Sequence, residues 1–237
     1  MSRRDELLKY VGDDLTDLVT NLVDEMIFLE AKLAQLKTYE FIQVHPTDPS
    51  IQRATPAAKQ NKDFATAVGY YQQMVEMDPS NGGYALQLGD AYYRMSDWDN
   101  AVAALESAAA NGQAVKATNL LSSVYLKRCQ EALKAKQYQA ALDFAMKANE
   151  YKENANAYKL AASAAQKLGN NAQCIEFYEK YLEIKPNAKD AAGVTFTIAA
   201  LYQQLGNNAK AIENYEKVAS DPQYGAGAQE QLKVLKK

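Results

Sequence analysis

The feature that most constrains this chain is a pattern that returns about every 34 residues through its longer, second part. Five stretches align: 62–81 (KDFATAVGYYQQMVEMDPSN), 96–108 (SDWDNAVAALESA), 136–154 (KQYQAALDFAMKANEYKEN), 169–187 (GNNAQCIEFYEKYLEIKPN) and 206–222 (GNNAKAIENYEKVASDP). Each carries a trio spaced by four and then three residues: Ala67/Tyr71/Met74, Ala101/Leu105/Ala108, Ala141/Ala145/Ala148, Cys174/Tyr178/Tyr181 and Ala211/Tyr215/Val218. That spacing sets each trio on one face of a helix. Second helical patterns lie upstream of most of them, at 84–95, 118–129, 157–168 and 194–205. Gly169 and Gly206 stand where a first helix would stop, a position that favours glycine. The unit is helix, short turn, helix. A single pair cannot bury its own apolar face, so copies must stack into a continuous core. This predicts an all-α solenoid with Ala101, Ala141, Cys174 and Ala211 buried where helices cross. GAGAQEQLKVLKK at 225–237, with Leu232 and Leu235 on one face, suits a polar-backed helix that caps the stack.

These residues resemble tetratricopeptide repeats, whose frame is a Leu-Gly pair, a Tyr, an Ala, a Phe and a Pro. Repeat two supplies Leu88, Gly89, Tyr92, Ala101, Leu105 and Ala108. Repeat four (155–188) supplies Tyr158, Tyr178 and Pro186. Repeat five (about 192–225) supplies Tyr202, Gly206, Ala211 and Tyr215. Repeat three has Leu121 and Tyr125 in frame, but its second helix comes about seven residues late. Seven residues are two helical turns, so a longer first helix keeps the faces aligned. Repeat two has Gln113 in place of the closing Pro. Repeat one has a clear second helix at 62–78. Its first would fall at 47–60, where two prolines leave room only for a short helix at about 56–61.

The resemblance covers about 61–237 and implies a non-catalytic interaction module. It implies a concave groove, lined by the first helix of each pair, that holds a protein or peptide partner. The groove positions it implies are Leu86, Asp90, Tyr93 and Arg94 in repeat two and Lys116, Asn119, Ser123 and Lys127 in repeat three. In repeat four they are Asn156, Lys159, Ser163 and Lys167, and in repeat five Phe196, Ala200, Gln203 and Gln204. Five of these are basic and one is acidic, although residues 61–237 are neutral overall. Such a distribution creates a local positive field. The expected ligand is an extended acidic segment or a free chain carboxylate, with Tyr93 and Phe196 as apolar contacts. Some members clamp a chaperone's terminal carboxylate with a Lys and an Asn four residues apart. Here the corresponding pairs are Lys159 with Ser163 and Asn119 with Ser123, an incomplete clamp, so a chaperone tail is not the expected ligand.

The first sixty residues read differently. They hold the whole net charge of −3, and Tyr, Asn and Ala are sparse in them. Leu15, Leu18, Leu22, Met26, Leu29, Leu33 and Leu36 recur by threes and fours, which predicts a long amphipathic helix over about 14–38. A stripe this regular suits a coiled-coil seam and self-association. A proline-punctuated segment follows. The organisation expected is a helical segment at 1–41, an extended linker at 42–60 and the solenoid at 61–237. DEM-FLE-L--LK at 24–37, FIQVHP at 41–46 and QRATPAAKQ at 52–60 are similar to the small terminase subunits of tailed phages. That resemblance implies ring assembly and a DNA-packaging component as the alternative function. The segment is acidic and shows no helix-turn-helix, so nucleic-acid binding is not expected of it.

The remaining residues argue against catalysis. The single histidine, His45, precedes Pro46 in a loop-like stretch, and one histidine cannot build a multi-histidine metal site. The two cysteines are too few for a disulfide framework or a zinc site. Cys174 fills a small-residue slot, so packing is its expected role, and Cys129 is another packing or surface thiol. The Asn170–Asn171 and Asn207–Asn208 pairs follow glycines and read as turn chemistry. No phosphate loop, HExxH or paired CxxC is present. No enzyme activity, cofactor or metal is expected. No apolar run reaches the roughly 20 residues that span a bilayer, and MSRRDELLKY lacks the apolar core of a secretory signal, so a cytoplasmic location is expected.

Overall fold

Asparagine and aspartate side chains start these helices, and left-handed residues stop them. Asp63, Asn81, Asn154, Asn170 and Asn207 each sit at an N-cap and accept a hydrogen bond from a backbone N–H of the first turn. Gly169 and Gly206 both have φ +75°, and the N–H of the following asparagine reaches back to the carbonyls of Ala165 and Tyr202. The two Gly-Asn-Asn runs are therefore a stop and a start in three residues. Ser96 and Lys136 hold the same left-handed position in repeats two and three, each with φ 61°.

The computed structural model describes residues 62–237, together with Met26 and Leu29. The described residues contain ten α-helices and no strand. They are α1 (Phe64–Met77), α2 (Gly82–Met95), α3 (Trp98–Ala108), α4 (Ala114–Lys134) and α5 (Tyr138–Tyr151). After these come α6 (Ala155–Lys167), α7 (Asn171–Ile184), α8 (Ala191–Gln204), α9 (Asn208–Val218) and α10 (Gly225–Leu235). Helices α2–α3, α4–α5, α6–α7 and α8–α9 are the pairs of repeats two to five, and α1 is the second helix of repeat one. Met26 and Leu29 are helical and exposed. The rest of the helix expected at 14–38, the linker at 42–60 and the short helix at 56–61 lie outside the described residues. No helix among the described residues is long and apolar enough to cross a membrane.

Every trio residue is buried except Tyr178, which is half-exposed; Ala101, Ala141, Cys174 and Ala211 are wholly enclosed. Helices pack chiefly on their neighbours in sequence. The first helices of repeats two, three and four also touch, α2 against α4 and α4 against α6, whereas consecutive second helices do not pack to that extent. From repeat two to repeat four the stack is therefore tighter on the first-helix side. Helix α4 runs 21 residues, as the late second helix of repeat three requires. Its Ala117, Leu121 and Val124 join the apolar cluster of α1–α3, and its Cys129 and Ala132 join the cluster of α5–α10. Cys129 and Cys174 are both packing residues, and burial pushes each thiol up to about 11.

Where Gln113 replaces the closing proline, the chain runs from α3 into α4 through a π-type turn at Ala109–Gln113, with Gly112 at φ 86°. Gly82 at the start of α2 lies under that turn, where a Cβ would stand 2.2 Å from the Asn111 carbonyl oxygen. At the other end α10 closes the stack, with Leu232 and Leu235 packed on the core.

Candidate functional site

The first-helix side carries two neighbouring hollows. The first, about 400 Å³, is lined by Tyr93, Arg94, Ser96 and Trp98 on one side and by Lys127, Gln130, Glu131 and Lys134 of α4 on the other. The second, about 350 Å³, is lined by Gln130, Asn156, Lys159, Leu160, Ser163 and Tyr178. Gln130 belongs to both, so the two form one strip across the first helices of three successive repeats. The strip brings together Tyr93, Arg94, Lys127, Asn156, Lys159 and Ser163, all positions expected from the repeat frame. Gln130, Trp98, Lys134 and Tyr178 were not among the expected positions. They lie off the frame's groove offsets, on the late end of α4, on α3 and on α7.

In the first hollow Tyr93 and Trp98 meet edge-on with ring centres 5.7 Å apart, forming an aromatic corner. The Trp98 indole N–H donates to Glu131 Oε2 at 2.8 Å. Arg94 pairs with Asp90 one helical turn away at 3.4 Å. Lys127 and Lys134 are exposed and form no ion pair among the described residues.

The second hollow is less basic than its sequence suggests. Lys159 is paired with Asp190, which also accepts from the Tyr181 hydroxyl. The Lys159 hydrogen bond, reinforced by that of Tyr181, holds the Asp190 carboxyl below the usual carboxylate range. Tyr178 has its phenol pushed up by burial.

Other expected positions are occupied otherwise. Leu86 is a core residue, 7% exposed and packed in the cluster of α1–α4, because it faces the neighbouring helices rather than the open strip. Two of the repeat-five positions are engaged by Tyr224, the residue before α10, and by α10 itself. Phe196 packs edge-on to Tyr215 at 5.3 Å and against Tyr224 at 5.7 Å. Gln203 donates to Gln231 of α10 and accepts from the Tyr215 hydroxyl. Gln204 accepts from Asn171 of the preceding repeat. Lys116, Asn119 and Lys167 are exposed but line neither hollow.

Among solved structures the chain is similar to MamA, at 21% identity over 75% of this chain and 95% of that one, with a TM-score of 0.44. YrrB, described as a TPR protein with an unusual peptide-binding site, is 16% identical over 78% of this chain and 93% of that one, with a TM-score of 0.44. The TPR domain of P58(IPK) is 16% identical over 79% of this chain and 64% of that one, with a TM-score of 0.43. No curated protein matches the chain. The likeness of residues 1–60 to small terminase subunits finds no support in these comparisons. Tetratricopeptide-repeat families match residues 58–124 and residues 155–188 and 193–220. Together these segments make up more than half of the chain, which belongs to the tetratricopeptide-repeat proteins.

Proposed function

We propose that this chain is a non-catalytic scaffold that binds an extended acidic segment of a protein partner along the strip formed by α2, α4 and α6. Tetratricopeptide repeats are protein-interaction modules, which supports the general role. The observation that carries the particular reading is the continuity of the two hollows through Gln130, with Lys127 and Lys134 free of carboxylate partners among the described residues. A positive strip flanked by aromatic rings favours a ligand that brings carboxylates and at least one apolar side chain. Repeat five contributes little, because Tyr224 engages Phe196 and Gln231 of α10 engages Gln203.

Selection of random displayed peptides on the full chain tests this. The selected peptides are expected to be rich in Asp and Glu. Lys127→Glu combined with Ser163→Trp, which reverses a charge in one hollow and fills the other, is expected to release them while the melting temperature stays nearly constant. Retention of the peptides by that variant, or selection of peptides without acidic residues, overturns the reading.

A further inference from the structure

The seven residues by which α4 outruns the repeat frame, 128–134, supply one wall of the first hollow: Gln130, Glu131 and Lys134 all come from them. Two bonds fasten this extension to repeat two. One is the Trp98 indole on Glu131; the other is the ion pair between Arg128 and Asp99 at 2.9 Å. The Arg128 guanidinium also lies 4.5 Å from the centre of the Phe144 ring, which anchors it to α5. The wall is therefore held in place, and its one carboxylate, Glu131, already accepts a hydrogen bond from within the protein.

Lys127 and Lys134 are seven residues apart on α4. Seven residues are close to two turns, so both ammonium groups project from one face, their Cα atoms about 10.5 Å apart along the axis. A chain in the polyproline II conformation repeats its side-chain direction every three residues, over about 9.3 Å. Two acidic side chains three residues apart in such a chain match the two lysines, and the flexible lysine stems absorb the small difference. The Tyr93–Trp98 corner lines the same hollow as the two lysines and offers an apolar surface to a residue between the acidic ones.

Building on the acidic-ligand reading above, we propose that this hollow is the anchoring subsite of the strip. It takes an extended segment with two acidic residues at positions i and i+3 and an apolar residue between them. The specificity comes from the extension of α4 rather than from the regular repeat positions.

The test uses the full chain and two fluorescein-labelled, amide-ended peptides of one composition, Gly-Gly-Glu-Leu-Gly-Glu-Gly-Gly and Gly-Gly-Gly-Leu-Glu-Glu-Gly-Gly, followed by fluorescence anisotropy at low salt. The spaced peptide is expected to bind roughly three- to tenfold more tightly, as two exposed ion pairs provide. Lys127→Glu with Lys134→Glu is expected to abolish that preference, and so is the milder Lys127→Gln with Lys134→Gln, while Ser163→Trp leaves it intact. Equal binding of the two peptides, or a preference that survives the glutamine variant, overturns the subsite. If both bind equally and Ser163→Trp removes both, the strip stands as the binding face without this subsite. If the wild-type chain binds neither, the subsite and the acidic-ligand reading fall together.

Discussion

Gly89 of α2 lies so close beneath Leu105 of α3 that a Cβ in its place would stand 2.6 Å from the leucine Cγ. Leu105 is wholly buried and has no free direction in which to retreat. Gly89→Ala gains about 1 kcal/mol of helix propensity. It loses about 1–3 kcal/mol to overpacking, so the net effect expected is destabilisation. Ala101→Leu, at another wholly buried crossing, has no propensity gain of that size to offset its overpacking and is expected to cost about 1–3 kcal/mol. Urea unfolding of both variants checks this, and an unchanged midpoint for Ala101→Leu counts against the assigned register.

Lys136 occupies a left-handed helix-end position at φ 61°, where Gly169 and Gly206 sit in later repeats. A side chain there costs roughly 1–2 kcal/mol in local sterics, partly returned by the entropy that glycine adds to the unfolded chain. Lys136→Gly is expected to raise stability by up to about 1 kcal/mol. Gly169→Ala is expected to lower it by a similar amount. Thermal melting of the two variants should show shifts of opposite sign.

Asp190 gathers Lys159 and the Tyr181 hydroxyl at the start of α8, joining repeats four and five. Its carboxyl is held below its ordinary value of 3.8, mainly by the Lys159 hydrogen bond. A carboxyl lowered in the folded state adds stability that is present above its unfolded value and lost as pH falls through the lower folded value. Both partners are more than a third exposed, so screening limits the increment to at most about 1 kcal/mol. Asp190→Asn is expected to remove that increment near neutrality and to flatten the loss of stability below pH 3.8. Denaturant titrations of wild type and variant across the acid range measure it.

Two phenols behave in the opposite sense. Tyr181 is pushed up to about 12, first by its hydrogen bond to Asp190 and then by burial. Tyr151 is pushed up to about 12, first by burial and then by its hydrogen bond to Glu106. A raised phenol favours the folded state fully below its ordinary value of 10, and that contribution is lost as pH rises towards 12. Tyrosine titration by phenolate absorbance should show a late component, and Tyr181→Phe and Tyr151→Phe should each remove part of it.

The array was legible in the sequence because its determinants are local. Trios at helical spacing and glycines at helix ends each act within a few residues, while Asn170 and Asn207, read as turn residues, prove to be helix caps. The seven-residue delay in repeat three announced the long α4 in the same way. The groove was less legible because offsets from a repeat frame fix where a Cα lies, not what its side chain meets. Lys159 looks like a free groove cation until Asp190, 31 residues on, is brought beside it. Phe196 and Gln203 look open until Tyr224 and Gln231, from the chain around and within α10, are brought against them. Trp98 and Lys134 escaped notice because they become neighbours only through the lengthening of α4. Lys134 lies inside that added length, seven residues after Lys127, where no offset from the regular frame reaches.

Because α4 alone among the described helices gives buried residues to both large apolar clusters, it is the joint through which one part of the array feels the other. In a stack held by nearest-neighbour contacts, cooperativity is only as strong as its weakest junction. A partner seated along the proposed strip from α2 to α6 would splint that joint, which would tie its grip to the mechanical unity of the array.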